Sequence, residues 1–252
     1  MCGKTAVTDL AWSEVYAWAN SLTPPAALPE NPANRINISP SRLRRKSEPD
    51  SMVWETLPII HATHAADEPA EAIWPYLPPW SNGRLPMLSN GKLLSTANAR
   101  LRTGAAPFAP TFMKPWQAGY RVIVVVSWFY EFDSRARPQV PYAVFPLERP
   151  FWMMAGLAWP LKAPQDQCKM SVAIITVEPN RVLESIGHHR SPAILQSPEE
   201  CATWLRGPKD DAIRLLRPHP DESMGVETVP MEIKIPGNQE IRLPGVSNDR
   251  SR

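Results

Sequence analysis

A single α+β domain with a mainly antiparallel, barrel-like β core flanked by short helices is the fold class this sequence predicts. Three observations predict it. Proline accounts for 30 of the 252 residues, more than twice the usual share of about 5%. A ring that fixes φ and removes an N–H favours short strands and turns over long helices. Apolar, β-branched and aromatic runs follow one another between 120 and 178, as in an antiparallel sheet or barrel. Helical signals, by contrast, are short. An apolar share of 43% is enough for a sizeable core.

Taken in order, residues 8–22 put Trp12, Val15, Tyr16, Ala19 and Leu22 on one face of an amphipathic helix, with Thr8 or Asp9 as its cap. The proline-rich stretch 24–32 ends it. A basic segment, RINISPSRLRRK, precedes a short strand at 52–60, and the acidic, Ala-rich HATHAADEPAEA reads as a surface connection. WPYLPPW follows, then LLSTANAR at 93–100. Residues 120–132 form the clearest strand, its β-branched run suited to burial on both faces. Further strands are expected at 140–146, 151–159 and 169–178. Helices are expected at 198–206, capped by Ser197 with Pro198 in the first turn, and at 209–216. The domain is read as 1–240, with a C-terminal tail at 241–252.

The net charge of +2 and pI near 8.5 permit nucleic-acid contact without arguing for it, so any basic groove must come from local clustering. Three widely spaced cysteines, Cys2, Cys168 and Cys201, exclude a disulfide framework and show no zinc-ligand spacing. No metal and no cofactor are expected. The chain lacks a signal-peptide core and any apolar run of membrane-spanning length, which places it in the cytoplasm, away from membranes.

Cys2 is the sharpest chemical feature. Met1 is commonly removed ahead of a small residue, leaving an α-amine and a thiol on adjacent carbons. These titrate near 7.7–8.0 and about 8.5, so part of each is nucleophilic at neutral pH. An aldehyde meeting them forms an imine, which the thiol closes to a five-membered thiazolidine. Gly3 lets the backbone approach a ligand. Glu131, at the end of an apolar strand in WFYEF, is the candidate general acid or base. His188 in GHHRSPAIL can move a proton near pH 7, and Asn98 in TANAR can orient an amine. No P-loop, dinucleotide fingerprint or G-x-S-x-G elbow is present.

Together these segments resemble the SOS response-associated peptidase (SRAP) family, the abasic-site-processing proteins. The resemblance runs in order through Met1-Cys2-Gly3, then Ile36-Asn37-Ile38-Ser39-Pro40, similar to x-N-x-x-P, and 74–80, similar to W-G-x-x-P-x-W. It continues through Asn98-Ala99-Arg100, the 112–116 region, Phe129-Tyr130-Glu131-Phe132 and His188-His189-Arg190-Ser191-Pro192. The resemblance implies capture of abasic sites in single-stranded DNA as a thiazolidine crosslink on Cys2. It also implies Met1 removal as an autopeptidase step, a monomeric protein, and association with the nucleoid when bound to DNA. Asn98 would position the Cys2 amine, Glu131 would serve as acid and base, and His188 would assist sugar opening. Arg100 and Arg190 would hold phosphates. Gly3, Lys4 and Asn37 would line the site, and Pro40 and Trp80 would contact displaced bases.

The chain departs from the family at Lys4, where Arg is usual, and at Arg102, which replaces a frequent Glu. Ser127 and Trp128 replace Asp-Gly, and Trp128 is expected to add bulk beside Glu131. Pro75 replaces Gly. Backbone affinity would come from basic residues, including Arg42, Arg44, Arg45 and Lys46. Two other readings compete. In one, Cys2 is the nucleophile of a thiol peptidase or amidohydrolase; in the other, the chain is a non-catalytic single-stranded DNA-binding module.

Overall fold

The computed structural model describes residues 3–40, 42–45, 48–133, 135–165 and 168–229, with backbone alone for 42–45 and 48–53. Met1, Cys2, Lys46 and the 241–252 tail lie outside the described residues, as do the side chains of Arg42, Arg44 and Arg45.

The strands are β1 (Lys4–Val7), β2 (Arg35–Ile38), β3 (Arg42–Arg45), β4 (Glu48–Trp54), β5 (Thr56–Ala62), β6 (Asp67–Ile73) and β7 (Asn98–Arg100). They continue as β8 (Arg121–Val126), β9 (Trp128–Asp133), β10 (Val140–Pro146), β11 (Trp152–Gln165), β12 (Cys168–Val177), β13 (Ser191–Pro192) and β14 (Met224–Thr228). The helices are α1 (Trp12–Trp18), α2 (Pro110–Ala118), α3 (Arg181–Ser185), α4 (Pro198–Arg206) and α5 (Lys209–Arg214). This is the predicted class: a mixed α+β domain around a barrel.

Strands β11, β8, β5, β6 and β12 are neighbours in that order, and β11 also pairs with β12, so the sheet closes on itself. Closure removes its open edges. All six residues of β8 are buried, as its Val and Ile run requires. A second sheet runs β14-β10-β9-β1-β2, and β3 and β4 form a separate hairpin. Pairing is antiparallel except where β6 and β7 meet β12 in parallel.

The single strand expected over 120–132 is two strands in different sheets. Ser127 breaks it: its N–H donates to the Ala6 carbonyl at 2.9 Å. Its hydroxyl oxygen accepts from Thr8 N–H, also at 2.9 Å, and donates to the Thr8 carbonyl. The chain thus leaves the barrel in β8 and enters the second sheet in β9.

The first helix is shorter than 8–22. Thr8 is held by Ser127 and Asp9 exchanges hydrogen bonds with Asn34, so neither caps the helix. Asn31 serves instead, its side chain accepting from Trp12 N–H at 3.0 Å. The expected face is nonetheless buried as a unit, Trp12, Val15, Tyr16, Ala19 and Leu22 all lying in the main core. The acidic 61–72 stretch contains barrel strand β6 and is not a surface connection. Its Asp67 is 1% exposed and is compensated by Arg206 at 2.8 Å and by Thr23 N–H at 2.8 Å, as a buried carboxylate must be. Helix α4 begins where expected, with Ser197 accepting from Glu200 N–H at 3.3 Å.

Helix α3 was not foreseen. Asn180 caps it by accepting from Leu183 N–H, and donates its amide to the His219 carbonyl. The His219 ring is 5% exposed and packs edge-on against Trp152. Burial, with repulsion from Arg149 and Arg217, pushes it down to about 4. The unfolded chain takes up this proton below about pH 6.5 while the folded chain does not. Stability is therefore fully present above that pH and falls as pH drops toward 4. Allowing for solvent screening, His219→Phe is expected to remove about 1–2 kcal/mol of this acid sensitivity, measured as denaturation midpoint against pH.

Candidate active site

Side chains alternate along β9, so Phe129 and Glu131 face one way while Trp128, Tyr130 and Phe132 face the other. Trp128 belongs to a separate cluster with Ala6, Tyr130, Ala143 and Phe145. Its bulk is therefore not beside Glu131, contrary to expectation. Strand β1 runs antiparallel to β9 with Lys4 across from Tyr130 and Thr5 across from Phe129. Continued one step beyond Lys4, where β1 begins, this register would set Gly3 across from Glu131. The Lys4 ammonium lies 5.9 Å from the centre of the Phe132 ring.

His188 reaches Glu131 from the turn after α3. Gly187 takes φ +74°, and a Cβ there would lie 2.5 Å from both Asp133 Oδ1 and Arg135 Nε. Those two side chains form an ion pair. Arg135 also donates to the Ser185 carbonyl at 2.8 Å. The end of β9 is thus tied to the turn that carries the imidazole.

His188 Nε2 lies 2.8 Å from Glu131 Oε2, with the two side chains 8% and 2% exposed. His188 Nδ1 lies 2.8 Å from the Arg190 carbonyl. A carbonyl only accepts, so Nδ1 carries hydrogen and Nε2 faces the carboxyl group. The short Nε2–Oε2 contact then requires one proton between them. Either a carboxylic acid donates to imidazole, or an imidazolium donates to carboxylate. Such a pair can deliver a proton and take one back.

Asn98 opens β7, in parallel register with Ile174 of β12. The preceding Ala97 carbonyl accepts from Ile174 N–H and from the buried Trp74 Nε1, each at 3.0 Å. Asn98, Arg100, Arg102, Phe112, Val177 and Glu178 line an open groove of about 610 Å³. Arg100 and Arg102 are exposed. His189 is exposed beside them; desolvation, then repulsion from positive charges including His188, Arg100 and Arg190, pushes it below its ordinary value.

Arg190 is 2% exposed. Its guanidinium donates to the Thr176 carbonyl at 2.5 Å and the Leu101 carbonyl at 3.4 Å, and pairs with Glu178. It faces protein, not solvent. Asn37 adopts φ +57° at an irregularity in the β1–β2 pairing, a conformation Asn tolerates. Pro40 is half-buried. Trp80 is 57% exposed but does not line the groove. It precedes Asn82, which is bonded to Lys162 beyond Pro160 of β11, toward the Cys168 end of β12. Among the described residues no group of three His, Cys, Asp or Glu is placed to hold a metal ion. None of their helices is long and apolar enough to cross a membrane.

Glu178, Trp74 and the Asp133–Arg135 pair are the contributors that sequence reasoning missed. Only the aromatic motif around Trp74 carried any signal.

Fold and site together define a barrel protein with a buried carboxyl–imidazole pair and a groove bordered by arginines. The model of the SOS response associated peptidase (SRAP) family matches residues 1–236, and the chain belongs to that family. Membership implies DNA binding and an SOS-associated, DNA-related function, with peptidase-like or DNA-processing activity. Similar crystal structures include a protein from Bacteroides thetaiotaomicron, 26% identical with TM-score 0.56 over 71% of this chain and 75% of that one. A Bordetella bronchiseptica protein is 19% identical, TM-score 0.64, over 91% and 100%. A phage-related protein of the same organism is 23% identical, TM-score 0.59, over 92% and 96%. No curated protein matches this chain.

Proposed function

We propose that this protein captures abasic sites in single-stranded DNA as a thiazolidine on Cys2, after loss of Met1. The observation that carries the reading is the buried Glu131–His188 contact at 2.8 Å, on the strand that pairs with β1 just after Gly3. The Cys2 amine nitrogen attacks the aldehyde carbon of the ring-opened sugar. The resulting carbinolamine loses its hydroxyl as water, with the pair supplying a proton to the leaving oxygen. The Cys2 sulfur, giving up its proton to the pair, adds to the imine carbon, and the nitrogen takes a proton. The net change is the loss of one water. Asn98 orients the amine. Arg100 and Arg102 hold flanking phosphates, an attraction that weakens with salt. A baseless nucleotide is easily drawn from the stack.

The test is incubation with single-stranded DNA bearing one abasic site. A denaturation-resistant adduct is expected, its mass equal to protein lacking Met1 plus DNA minus one water. A thiol peptidase would leave the DNA free and cleave a peptide. A passive binder would shift the DNA only under native conditions.

A further inference from the structure

From Trp74 through Tyr130 the chain has no Asp or Glu and carries Arg84, Lys92, Arg100, Arg102, Lys114 and Arg121. Arg100 and Arg102 border the groove, while Arg84 and Lys92 stand exposed at the base and tip of a small hairpin that precedes it. That hairpin, residues 86–94, is closed by Leu88 N–H donating to the Lys92 carbonyl at 2.7 Å and Leu94 N–H to the Pro86 carbonyl at 2.8 Å. Its turn is tight. Gly91 takes φ +76° and donates to the Leu88 carbonyl at 2.9 Å, as the left-handed last residue of a three-residue loop does. Met87 and Leu93 pair across the hairpin, which puts their side chains next to each other on one face. They are 54% and 58% exposed, and Leu88 is 43% exposed. Single exposed apolar side chains are ordinary, but a paired apolar platform rimmed by polar groups marks a contact surface. It also stays close to the groove. Leu93 is five residues before Asn98, so their Cα atoms lie at most about 18 Å apart. That is about five nucleotides at a stacked rise of about 3.4 Å.

An apolar platform flanked by cations, on a stretch with no acidic residue, suits a partner that is anionic along its length and carries flat apolar faces. Single-stranded nucleic acid is that partner: its phosphates meet the cations and its unpaired bases cover the apolar face. Met and Leu side chains pack against bases in this way when they act as wedges. We propose that the Met87–Leu93 hairpin is a second DNA contact, packing on unpaired bases within about five nucleotides of the abasic sugar, with Arg84 and Lys92 on the adjoining phosphates. The placement beside an abasic site rests on the functional reading above. The choice of nucleic acid as the partner rests on the charge.

Three measurements on the full-length chain test it: affinity for intact single-stranded DNA as a function of salt, 2-aminopurine fluorescence in the abasic adduct, and sedimentation without DNA. Met87→Ser combined with Leu93→Ser removes the platform and, at side chains more than half exposed, leaves the core filled. This double variant is expected to bind about 10-fold more weakly, toward the low end for one stacked base, with the salt slope unchanged. Lys92→Ala, which removes a charge, is expected to flatten the slope by about 0.7, one single-strand phosphate contact. With 2-aminopurine scanned over about five nucleotides on either side of the abasic sugar, the wild type should quench it at a defined position. That quenching should be lost in the double variant. Unchanged affinity and unchanged quenching in a double variant with an intact melting temperature would overturn the proposal. So would a wild type that dimerises without DNA and becomes monomeric once Met87 and Leu93 are replaced, since the face would then join two copies. If the wild type forms no adduct at all, the functional reading fails, and binding to intact DNA alone then decides: a weakened double variant sustains the hairpin contact, and an unweakened one ends it.

Discussion

Cys2→Ala is expected to leave no denaturation-resistant adduct with abasic DNA. Alanine at this position still allows Met1 to be removed, so the variant keeps a free α-amine and can form the imine. It lacks the sulfur that closes the ring, and an imine in water hydrolyses back. Borohydride added during the reaction reduces the C=N bond to a stable C–N bond and should restore a band. The expected pattern is therefore no adduct without reductant and an adduct with it, scored on a denaturing gel with the N-terminus checked by mass spectrometry. An unreduced adduct that persists in Cys2→Ala would mean that the thiazolidine assignment is wrong.

The second large effect is expected at Glu131. Glu131→Gln preserves the side-chain shape and a hydrogen bond toward His188 Nε2, and removes the ability to exchange a proton. Loss of a positioned acid–base group slows the step it serves by about 10²–10⁴. We expect that range for adduct formation in a rapid-quench time course, with affinity for intact single-stranded DNA unchanged. Because Met1 release would also draw on this carboxyl group, the comparison uses protein whose processed N-terminus has been confirmed. An unchanged rate with a lowered melting temperature would make Glu131 structural instead.

What could be read from the chain divides by range. Local patterns spoke clearly. The β-branched run at 121–126, the Ser197-Pro198 helix start and the buried face of α1 follow from periodicity and capping alone. The loop position of His188 was equally legible, whereas Glu131, expected at a strand end, lies inside β9 across from Tyr142. Features set by distant partners were not. Ser127 looks unremarkable beside Trp128, yet its bonds to Ala6 and Thr8 split one apparent strand between two sheets. Asp67 reads as surface until Arg206 arrives from α4. Arg190 gives no sign in the sequence of the Leu101 and Thr176 carbonyls to which it donates. A sequence states which groups can bond, but not which partner is near enough to claim them.

The meeting of Glu131 with His188 has a consequence for how the protein is made. Translation produces the amino end first and the imidazole most of a chain length later. Until residue 188 has left the ribosome and β1 has paired with β9, the nascent chain carries its nucleophile without the proton-exchanging partners proposed for it. Throughout synthesis the terminus would thus have only its intrinsic, unassisted reactivity toward aldehydes, and would gain the acceleration from those partners as the finished molecule closes.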